Sequence, residues 1–322
     1  LDRSSAASDV YKRQLQRWRP PPRHGVPAVK RMLRGHVPDD GRTYFAAAAG
    51  DSPFAPGTLL APGLGLPVAT PAWLYPDFPE EPAELLAAEI PILYSGPDAV
   101  VVDKPHGLPS TPNGRLLRAT VQSLLRVRMD EPELVAAHRL DRDTRGLLVL
   151  SRNPATRGFL QSQFQRREVS KTYQALAADT PYVDARWREL RLPMLKIKDD
   201  PQVRVVDAAG ARATVTRIRK LATRAAGVAV YELQPLTGHT HQLRVVMNHL
   251  GVPIHGDDTY PHYCPGAGSL HLRAVAIELA LVASTYNGTN GTANSGHCET
   301  KSRQRIEIER CLQDPWSQWE SC

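Results

Sequence analysis

Cysteines and long apolar runs are scarce in this sequence. Only one of its four cysteines, Cys264, precedes residue 298, so the body of the chain has no disulfide framework, and we expect a reducing compartment, the cytoplasm. No Cys-x-x-Cys pair occurs, and His255, His262 and Cys264 lack a familiar ligand spacing, so we expect no metal site. No apolar run approaches the ~20 residues of a bilayer-spanning helix. These absences argue against a disulfide scaffold, a zinc protein and a membrane protein.

Negative charge is also unevenly spread. The formal net charge is +7. Residues 89–283 carry 26 Lys and Arg against 19 Asp and Glu, whereas residues 37–88 carry 1 against 7. Residues 1–36 are basic as well, with 9 against 2, but their Arg, Pro and Ser content is typical of disorder. A basic central region suits a polyanionic partner such as a nucleic acid.

Composition divides the chain into five segments. We expect residues 1–34 to be a disordered or non-native leader, because they lack both a helical period and a signal-peptide layout. Residues 35–66 have the short strands and turns of a small N-terminal module, and residues 67–88 resemble a Pro-rich acidic linker. Residues 89–283 form the expected main domain. Residues 284–322 lose all periodicity and are expected to be a disordered or non-native tail.

Strand patterns predominate in the main domain. Period-2 alternation or short apolar runs predict strands over residues 92–94, 99–102, 147–150, 171–177, 203–206, 213–218, 228–233 and 270–281. Helices are predicted over residues 120–129, from Asn153 and Pro154 to about 167, and over 240–250. Because helices do not alternate regularly with strands, the sequence predicts an α+β fold with a largely antiparallel or mixed sheet.

Three segments combine acidic, basic and aromatic residues. They read His-Arg-Leu-Asp-Arg-Asp-Thr-Arg-Gly-Leu-Leu from His138, Lys-Thr-Tyr-Gln-Ala-Leu from Lys171, and Thr-Gly-His-Thr-His-Gln-Leu-Arg from Thr237. Val-Asp-Lys-Pro precedes them from residue 102, and Gly-Val-Pro-Ile-His-Gly-Asp follows from residue 251. Each motif alone has a plain structural interpretation, such as an ion-paired loop or a core tyrosine. Several motifs in one order are much more specific.

Together these motifs resemble the RluA-type pseudouridine synthases over roughly residues 90–283. The resemblance implies an isomerase that converts a specific uridine in a structured ribosomal or transfer RNA to pseudouridine. It also implies that Asp141 is the essential carboxylate, that Tyr173 stacks on the target base and that Arg244 pairs with Asp141. The reaction breaks the bond from N1 to ribose, turns the base over and rejoins it through C5. No electron is gained or lost, so we expect no cofactor.

The residue types suit these roles. A carboxylate can act as a nucleophile at ribose or base, or remove a ribose proton, and the sequence leaves these open. Each route needs Asp141 ionised, which a neighbouring Arg244 would favour. The spacing of Thr240 and Arg244 places both on one face of the predicted helix, with Thr240 in its first turn. A target base extruded from its stack needs a flat wall, which Tyr173 can provide.

The remaining polar residues of the motifs are expected to contact RNA. The resemblance suggests that Arg139 fills the stack left by the base, while Arg142, Arg145 and Lys171 suit backbone phosphate. The full set of expected RNA or substrate contacts is His138, Arg139, Arg142, Arg145, Lys104, Lys171, Thr240, His241, Gln242 and Leu270. We expect a monomer without an obligate protein partner.

Two positions depart from the family pattern. Arg145 lies where Thr-Ser-Gly is common, and His239 lies where an arginine is common. Both concern the RNA contacts rather than Asp141, Tyr173 or Arg244. Residues 32–37 also resemble, faintly, a small S4-type RNA-binding module. The alternative function is an RNA-binding or RNA-chaperone protein that keeps the scaffold but catalyses nothing, and the intact motifs argue against it.

Overall fold

The computed structural model describes residues 18–48, 52–224, 227–266 and 268–282, and the backbone of 301–307. In chain order the elements are β1 (Val29–His36), β2 (Tyr44–Ala46), β3 (Leu59–Leu60), β4 (Gly65–Leu74), α1 (Ala83–Leu86), β5 (Ile92–Ser95), β6 (Ala99–Lys104), α2 (Val121–Arg128), β7 (Val135–Ala136), β8 (Arg145–Ser151), α3 (Pro154–Gln165), β9 (Ser170–Ala178), β10 (Arg188–Lys196), β11 (Val203–Val205), β12 (Arg212–Thr223), β13 (Val228–Pro235), α4 (Gln242–His249), β14 (Leu272–Val282) and β15 (Lys301–Glu307). None of the helices in these described ranges is long and apolar enough to cross a membrane.

The chain forms two compact units. The small unit comprises Leu1–Pro82 and Pro112–Pro132, and the large unit comprises Ala83–Thr111 and Glu133–Cys322. The small unit is therefore discontinuous in sequence. The expected main domain over residues 89–283 differs from this division, because its residues 112–132 group with the N-terminal part of the chain.

A four-stranded antiparallel sheet in the order β1-β4-β2-β3 builds the small unit. Its bounds correct the expected segments, because β1 begins inside the predicted leader and β4 runs through the start of the predicted linker. Two prolines in β4 made that stretch resemble a linker. Nevertheless Leu66, Ala72 and Leu74 are buried, and the register with β1 extends to Val29 opposite Leu74. Burial of these side chains outweighs the cost of the prolines.

A buried carboxylate connects the two sequence segments of the small unit. Glu81 accepts hydrogen bonds from the backbone N–H groups of Leu117, Arg118 and Ala119. These bonds offset burial and hold the pKa of Glu81 below its usual range. Immediately after them, α2 begins one residue after its predicted start, with Thr120 as its N-cap, and Arg126 donates to the carbonyl of Gly25 at 3.1 Å.

The large unit is built on an 11-stranded mixed sheet. Its main path is β11-β10-β12-β13-β9-β14-β8-β6-β5, with β7 on β8 and β15 on β14. The described pairings are antiparallel except for β8 with β14, which is parallel. Helix α3 begins as predicted, with the Asn153 side chain accepting from the N–H of Ala155 at 3.0 Å. The predicted α+β class with a mixed sheet is confirmed.

A strand of the C-terminal segment corrects the expected tail. Strand β15 pairs antiparallel with β14, from Ala276 opposite Glu307 to Val282 opposite Lys301. Its sequence, Lys-Ser-Arg-Gln-Arg-Ile-Glu, has no apolar face. Backbone groups along the free edge of β14 can pair regardless of side-chain polarity, which explains why the sequence pattern missed the strand. The other residues of the expected tail, and residues 1–17, lie outside the described residues.

Candidate active site

One cleft in the large unit brings together the three principal residues. Asp141, Tyr173 and Arg244 all line this cleft, which has a volume of about 370 Å³. They come from the loop before β8, from β9 and from α4. The cleft opens on the face of the sheet toward which Tyr173 points, here called the front face. Other expected residues along it are Arg139, Lys171, Thr240, His241 and Gln242.

Tyr173 forms part of the cleft wall through its place in the sheet. It lies opposite Ala274 of β14, and Leu272 two residues earlier lines the same cleft. Tyr173 is 8% exposed. Burial, assisted by the negative charge of Asp141, raises the pKa of the Tyr173 phenol well above its usual value. The hydroxyl therefore stays protonated, and the wall beside Asp141 is neutral and flat.

Hydrogen bonds to its backbone groups fix the loop around Asp141. Ser110 Oγ donates to the carbonyl of Leu140 at 2.9 Å and accepts from the N–H of Leu140 at 3.0 Å. The N–H of Thr144 donates to the carbonyl of Asp141 at 3.2 Å, and Lys104 Nζ donates to the carbonyl of Arg142 at 2.7 Å. The carboxylate of Asp141 is half-buried and lines the cleft. A rigid backbone thus presents an acidic side chain to any bound molecule.

Arg244 does not form the expected ion pair with Asp141. Its Nε donates to Asp257 Oδ2 at 2.8 Å, and its Nη2 donates to Asp257 Oδ1 and to Asp258 Oδ1. Burial opposes the charge, yet the hydrogen bonds and charges of these carboxylates outweigh it and raise the pKa of Arg244. Arg244 is therefore a fixed cation. Its field also reaches Asp141, but in the described part of the chain no hydrogen bond joins the two.

Asp257 and Asp258, which hold Arg244, were not among the residues predicted from the sequence. They follow Gly256, whose φ is 69° and which has no room for a side chain, since a Cβ would lie 2.1 Å from the carbonyl oxygen of Ser269. The tight turn directs both carboxylates at Arg244. The motif from residue 251 contained the signal, because it ends in Gly-Asp, but sequence spacing did not show which carboxylate would bind the arginine.

The start of α4 also differs from the prediction. The helix begins at Gln242, so Thr240 precedes it and is not in its first turn. His241 takes the left-handed conformation with φ at 55° and makes no side-chain cap. Instead its Nδ1 lies 3.3 Å from the hydroxyl of Tyr260, whose ring lies beneath the Arg244 guanidinium. Burial lowers the pKa of His241, which favours the neutral ring.

Three predicted contact residues are engaged inside the protein, and of these only Gln242 also lines the cleft. The Gln242 side chain bonds to Thr237 Oγ1 at 3.0 Å and to Thr216 Oγ1 at 2.9 Å. His138 stacks on Phe164 with ring centroids 4.6 Å apart, and its Nε2 accepts from the N–H of Val149. Burial and the charge of Lys171 lower the pKa of His138 to about 3. Leu270 is buried, and Leu272 lines the cleft instead.

Only some of the predicted cations line the cleft. Arg139 is exposed and Lys171 half-buried, and both line the cleft. Arg142 is exposed and pairs with Asp143 at 3.0 Å. Lys104 is buried and bonded to backbone carbonyls, and Arg145 lines a different pocket. Among the described residues, no group of three or more His, Cys, Asp or Glu could hold a metal ion.

Comparison with known proteins identifies relatives of this chain. The family model for RNA pseudouridylate synthase matches residues 98–249. The dual-specificity RNA pseudouridine synthase RluA of Yersinia pestis is 32% identical over 216 residues, which cover 65% of this chain and 98% of that protein. The mitochondrial pseudouridylate synthase RPUSD4 of Xenopus tropicalis is 34% identical over 240 residues, covering 60% of this chain and 72% of that protein.

Known structures support the fold. Human RNA pseudouridylate synthase domain containing 1 aligns with a TM-score of 0.52 and 23% identity, covering 73% of this chain and 96% of that one. This structural similarity supports the fold, whereas the sequence similarity to the relatives above supports the activity. On that sequence relationship, the chain belongs to the RluA-type RNA pseudouridine synthases, isomerases that act on uridine in RNA.

Proposed function

We propose that this synthase modifies a uridine in ribosomal or transfer RNA, with Asp141 as its catalytic carboxylate and Tyr173 and Arg244 as its partners. The observation that carries the assignment is the convergence of these three side chains on one cleft. Asp257 and Asp258 hold Arg244, so the arginine supplies positive charge without neutralising Asp141 in an ion pair. The catalytically silent alternative is not favoured, since all three residues are present and brought together.

The geometry of the cleft supports these proposed roles. Asp141 acts on the target nucleoside as a nucleophile or as a base toward a ribose proton. Arg244 stabilises negative charge nearby, and the flat ring of Tyr173 contacts the extruded base. The fixed loop around Asp141 limits motion of the carboxylate, which favours a productive approach. No residue of this scheme requires a redox partner, because bonds are exchanged within one nucleotide.

RNA contacts are assigned to the residues that reach the cleft surface. Arg139 lies on the exposed rim and can occupy the gap left by the base, and Lys171 and Thr240 can contact ribose or phosphate. The substrate class is inferred from relatives, among them the ribosomal large subunit pseudouridine synthase C of Vibrio cholerae, 32% identical over 169 residues. We expect a monomer in the cytoplasm, where the one described cysteine, Cys264, stays free.

The first test of this function is Asp141→Asn. The amide keeps the shape of the carboxylate but cannot ionise, so pseudouridine formation should fall by at least ~10³-fold while RNA binding stays within about tenfold. Single-turnover assays on RNA and filter binding would measure the two quantities. Turnover equal to that of the parent chain would remove Asp141 from the mechanism.

The RNA itself is identified by mapping. Pseudouridine would be located in total RNA from cells that have or lack this protein, and again after expression of Asp141→Asn in the deficient cells. A site that appears only with the parent chain is the substrate. A map that stays the same in all three would contradict the proposed function.

A further inference from the structure

A second set of charged residues lies behind the cleft. Arg145 of β8 and Arg273 of β14 are paired in register, so their side chains share one face of the sheet. Leu272 and Thr144, the residue before each, line the cleft on the front face. Since successive side chains of a strand alternate, the two arginines point to the opposite face, here called the back face. Asp103, which lies opposite Leu147 of β8, shares that face.

These side chains line a pocket of about 450 Å³. Arg273 forms an ion pair with Asp103, so its charge is matched. Arg145 donates to the Ser269 hydroxyl at 2.7 Å, and no described carboxylate lies within ion-pair distance of its guanidinium. The Nε–H groups of both arginines are buried without a hydrogen-bond acceptor among the described residues. Glu89 also lines the pocket but forms no ion pair with either arginine, and the buried Lys104 donates to backbone carbonyls. The guanidinium of Arg145 thus has donors and a charge that no described group of the pocket matches.

The two guanidinium groups act on each other. Burial and the positive charge of Arg273 lower the pKa of Arg145, and Asp103 offsets this only in part. Folding alone gives such a pair no advantage, because like charges repel and buried donors without acceptors are costly. A bound anion would supply the missing acceptors and charge. Arg145 is also one of the two positions at which the motifs depart from the family pattern.

The location of the pocket suits a long ligand. The loop from Arg139 to Thr144 borders the cleft, and the chain reaches the pocket at the very next residue. Strands β8 and β14 begin, and β6 ends, at this end of the sheet. A polymer bound in the cleft can therefore continue around the end of the sheet. A guanidinium fork matches the oxygens of a phosphate better than those of any neutral group.

We propose that Arg145 and Arg273 form a second anion site, which holds a backbone phosphodiester of the RNA outside the target nucleotide. The proposal rests on the function proposed above, since the ligand is the same RNA. Arg145 provides the unmatched charge, and Arg273 adds further donors, while Ser269 holds the Arg145 guanidinium in place. Asp103 limits the affinity of the site by neutralising Arg273. His106, at the edge of the pocket, is held by the backbone carbonyl of Asp143 at 2.9 Å.

Charge variants with opposite expected effects test the site. Binding of a labelled RNA stem-loop to the full chain would be measured at several salt concentrations. Arg145→Gln should weaken binding roughly 3–10-fold and reduce the salt slope by about 1, because one phosphate contact is lost. Asp103→Asn should tighten binding, because Arg273 is then free to act on the RNA. The matched control is Arg191→Gln, which removes one exposed charge from β10 and should match the parent.

Two further measurements identify the ligand and exclude misfolding. Stem-loops with one neutral methylphosphonate at each position in turn should reveal a position that weakens binding to the parent but not to Arg145→Gln. Arg145→Lys keeps the charge, so it should keep the parent's salt slope while losing some affinity. Thermal melting of each variant establishes that the compared chains are folded.

The outcomes separate this proposal from the proposed function. Parent-like binding and salt slope for Arg145→Gln, weaker binding for folded Asp103→Asn, or the absence of a methylphosphonate position sensitive to Arg145 would each overturn the second site. A salt slope for Arg145→Lys as low as that of Arg145→Gln would do the same. Failure of the parent chain to form pseudouridine in total RNA would instead contradict the proposed function.

Discussion

Lys104 is a tightly held cation of the large unit. Its side chain is fully buried, and Nζ donates to the backbone carbonyls of Pro105, Leu108 and Arg142 at 3.0, 2.7 and 2.7 Å. Burial lowers the pKa of Lys104 to about 7, although the charges of Asp143 and Asp141 oppose the shift. This lysine was expected to contact RNA. The contacts show instead that it ties the loop of Asp141 to the segment after β6.

The shifted pKa predicts how stability depends on pH. Between about 7 and 10.5 the unfolded lysine binds more protons than the folded one, so the free energy of unfolding should rise with pH over this window. In Lys104→Met this contribution, at most ~1.4 kcal/mol per pH unit, should disappear. Urea unfolding between about pH 7 and pH 9 would measure both slopes. The control Lys196→Met removes an exposed lysine, and equal slopes for parent and Lys104→Met would refute the coupling.

At the site, the sequence predicts which residues lie in one cleft better than it predicts the hydrogen-bond partners of each residue. Motif order predicted that Asp141, Tyr173 and Arg244 converge, and the cleft brings them together; their catalytic roles stay predictions. The carboxylate partners of Arg244 were not predictable, because they depend on how the turn after Gly256 directs Asp257 and Asp258. Loops have no fixed periodicity, so a motif does not indicate whether a given side chain faces RNA or the core.

Among the elements, the parallel pair of β8 and β14 controls the position of the Asp141 loop. Gly146 lies in this pair with φ at 105°, and a Cβ there would lie 2.1 Å from the carbonyl oxygen of Ala274. A residue with a side chain at position 146 would be strained at this φ and would also clash with the neighbouring strand. The two strands can approach only because this residue is glycine.

We therefore expect Gly146→Ala to destabilise the large unit by at least ~3 kcal/mol and to reduce activity. Gly158 offers a matched control, since it lies inside α3 and a Cβ added there would have no neighbour within 4 Å. Gly158→Ala should be neutral or stabilising by about 0.4–1 kcal/mol. Thermal melting of both variants would decide, and similar melting temperatures would show that the close approach is not essential.

Elements with a clear apolar period were predictable, and those without one were not. Strands β6, β8, β9 and β13 follow their alternation or apolar runs, and α3 follows its cap and proline. Strand β10 was missed, because Pro193 and its many charged residues obscure the period, although it pairs with β11 and β12. A neighbouring strand can supply backbone partners that local sequence does not predict.

For the whole molecule, the C-terminal strand changes what truncation should do. Residues 301–307 cover the edge of β14 between Ala276 and Val282. Deleting residues 286–322 should therefore lower the melting temperature, by roughly 2–4 °C for each kcal/mol of lost pairing. Deleting residues 308–322 keeps β15 and serves as the control. If both truncations melt at the same temperature, β15 does not contribute to stability.

The discontinuity of the small unit has a consequence for how such proteins can be recombined. A single crossover near residue 82 would transfer its β-sheet but leave α2 behind in the other parent. The carboxylate of Glu81 would then face foreign backbone amides in place of those of Leu117 to Ala119, and Arg126 would lose the carbonyl of Gly25. A stable chimera therefore requires that residues 1–82 and 112–132 be exchanged together. The small unit is encoded by two separate stretches of the gene, and exchange of either stretch alone would disrupt it.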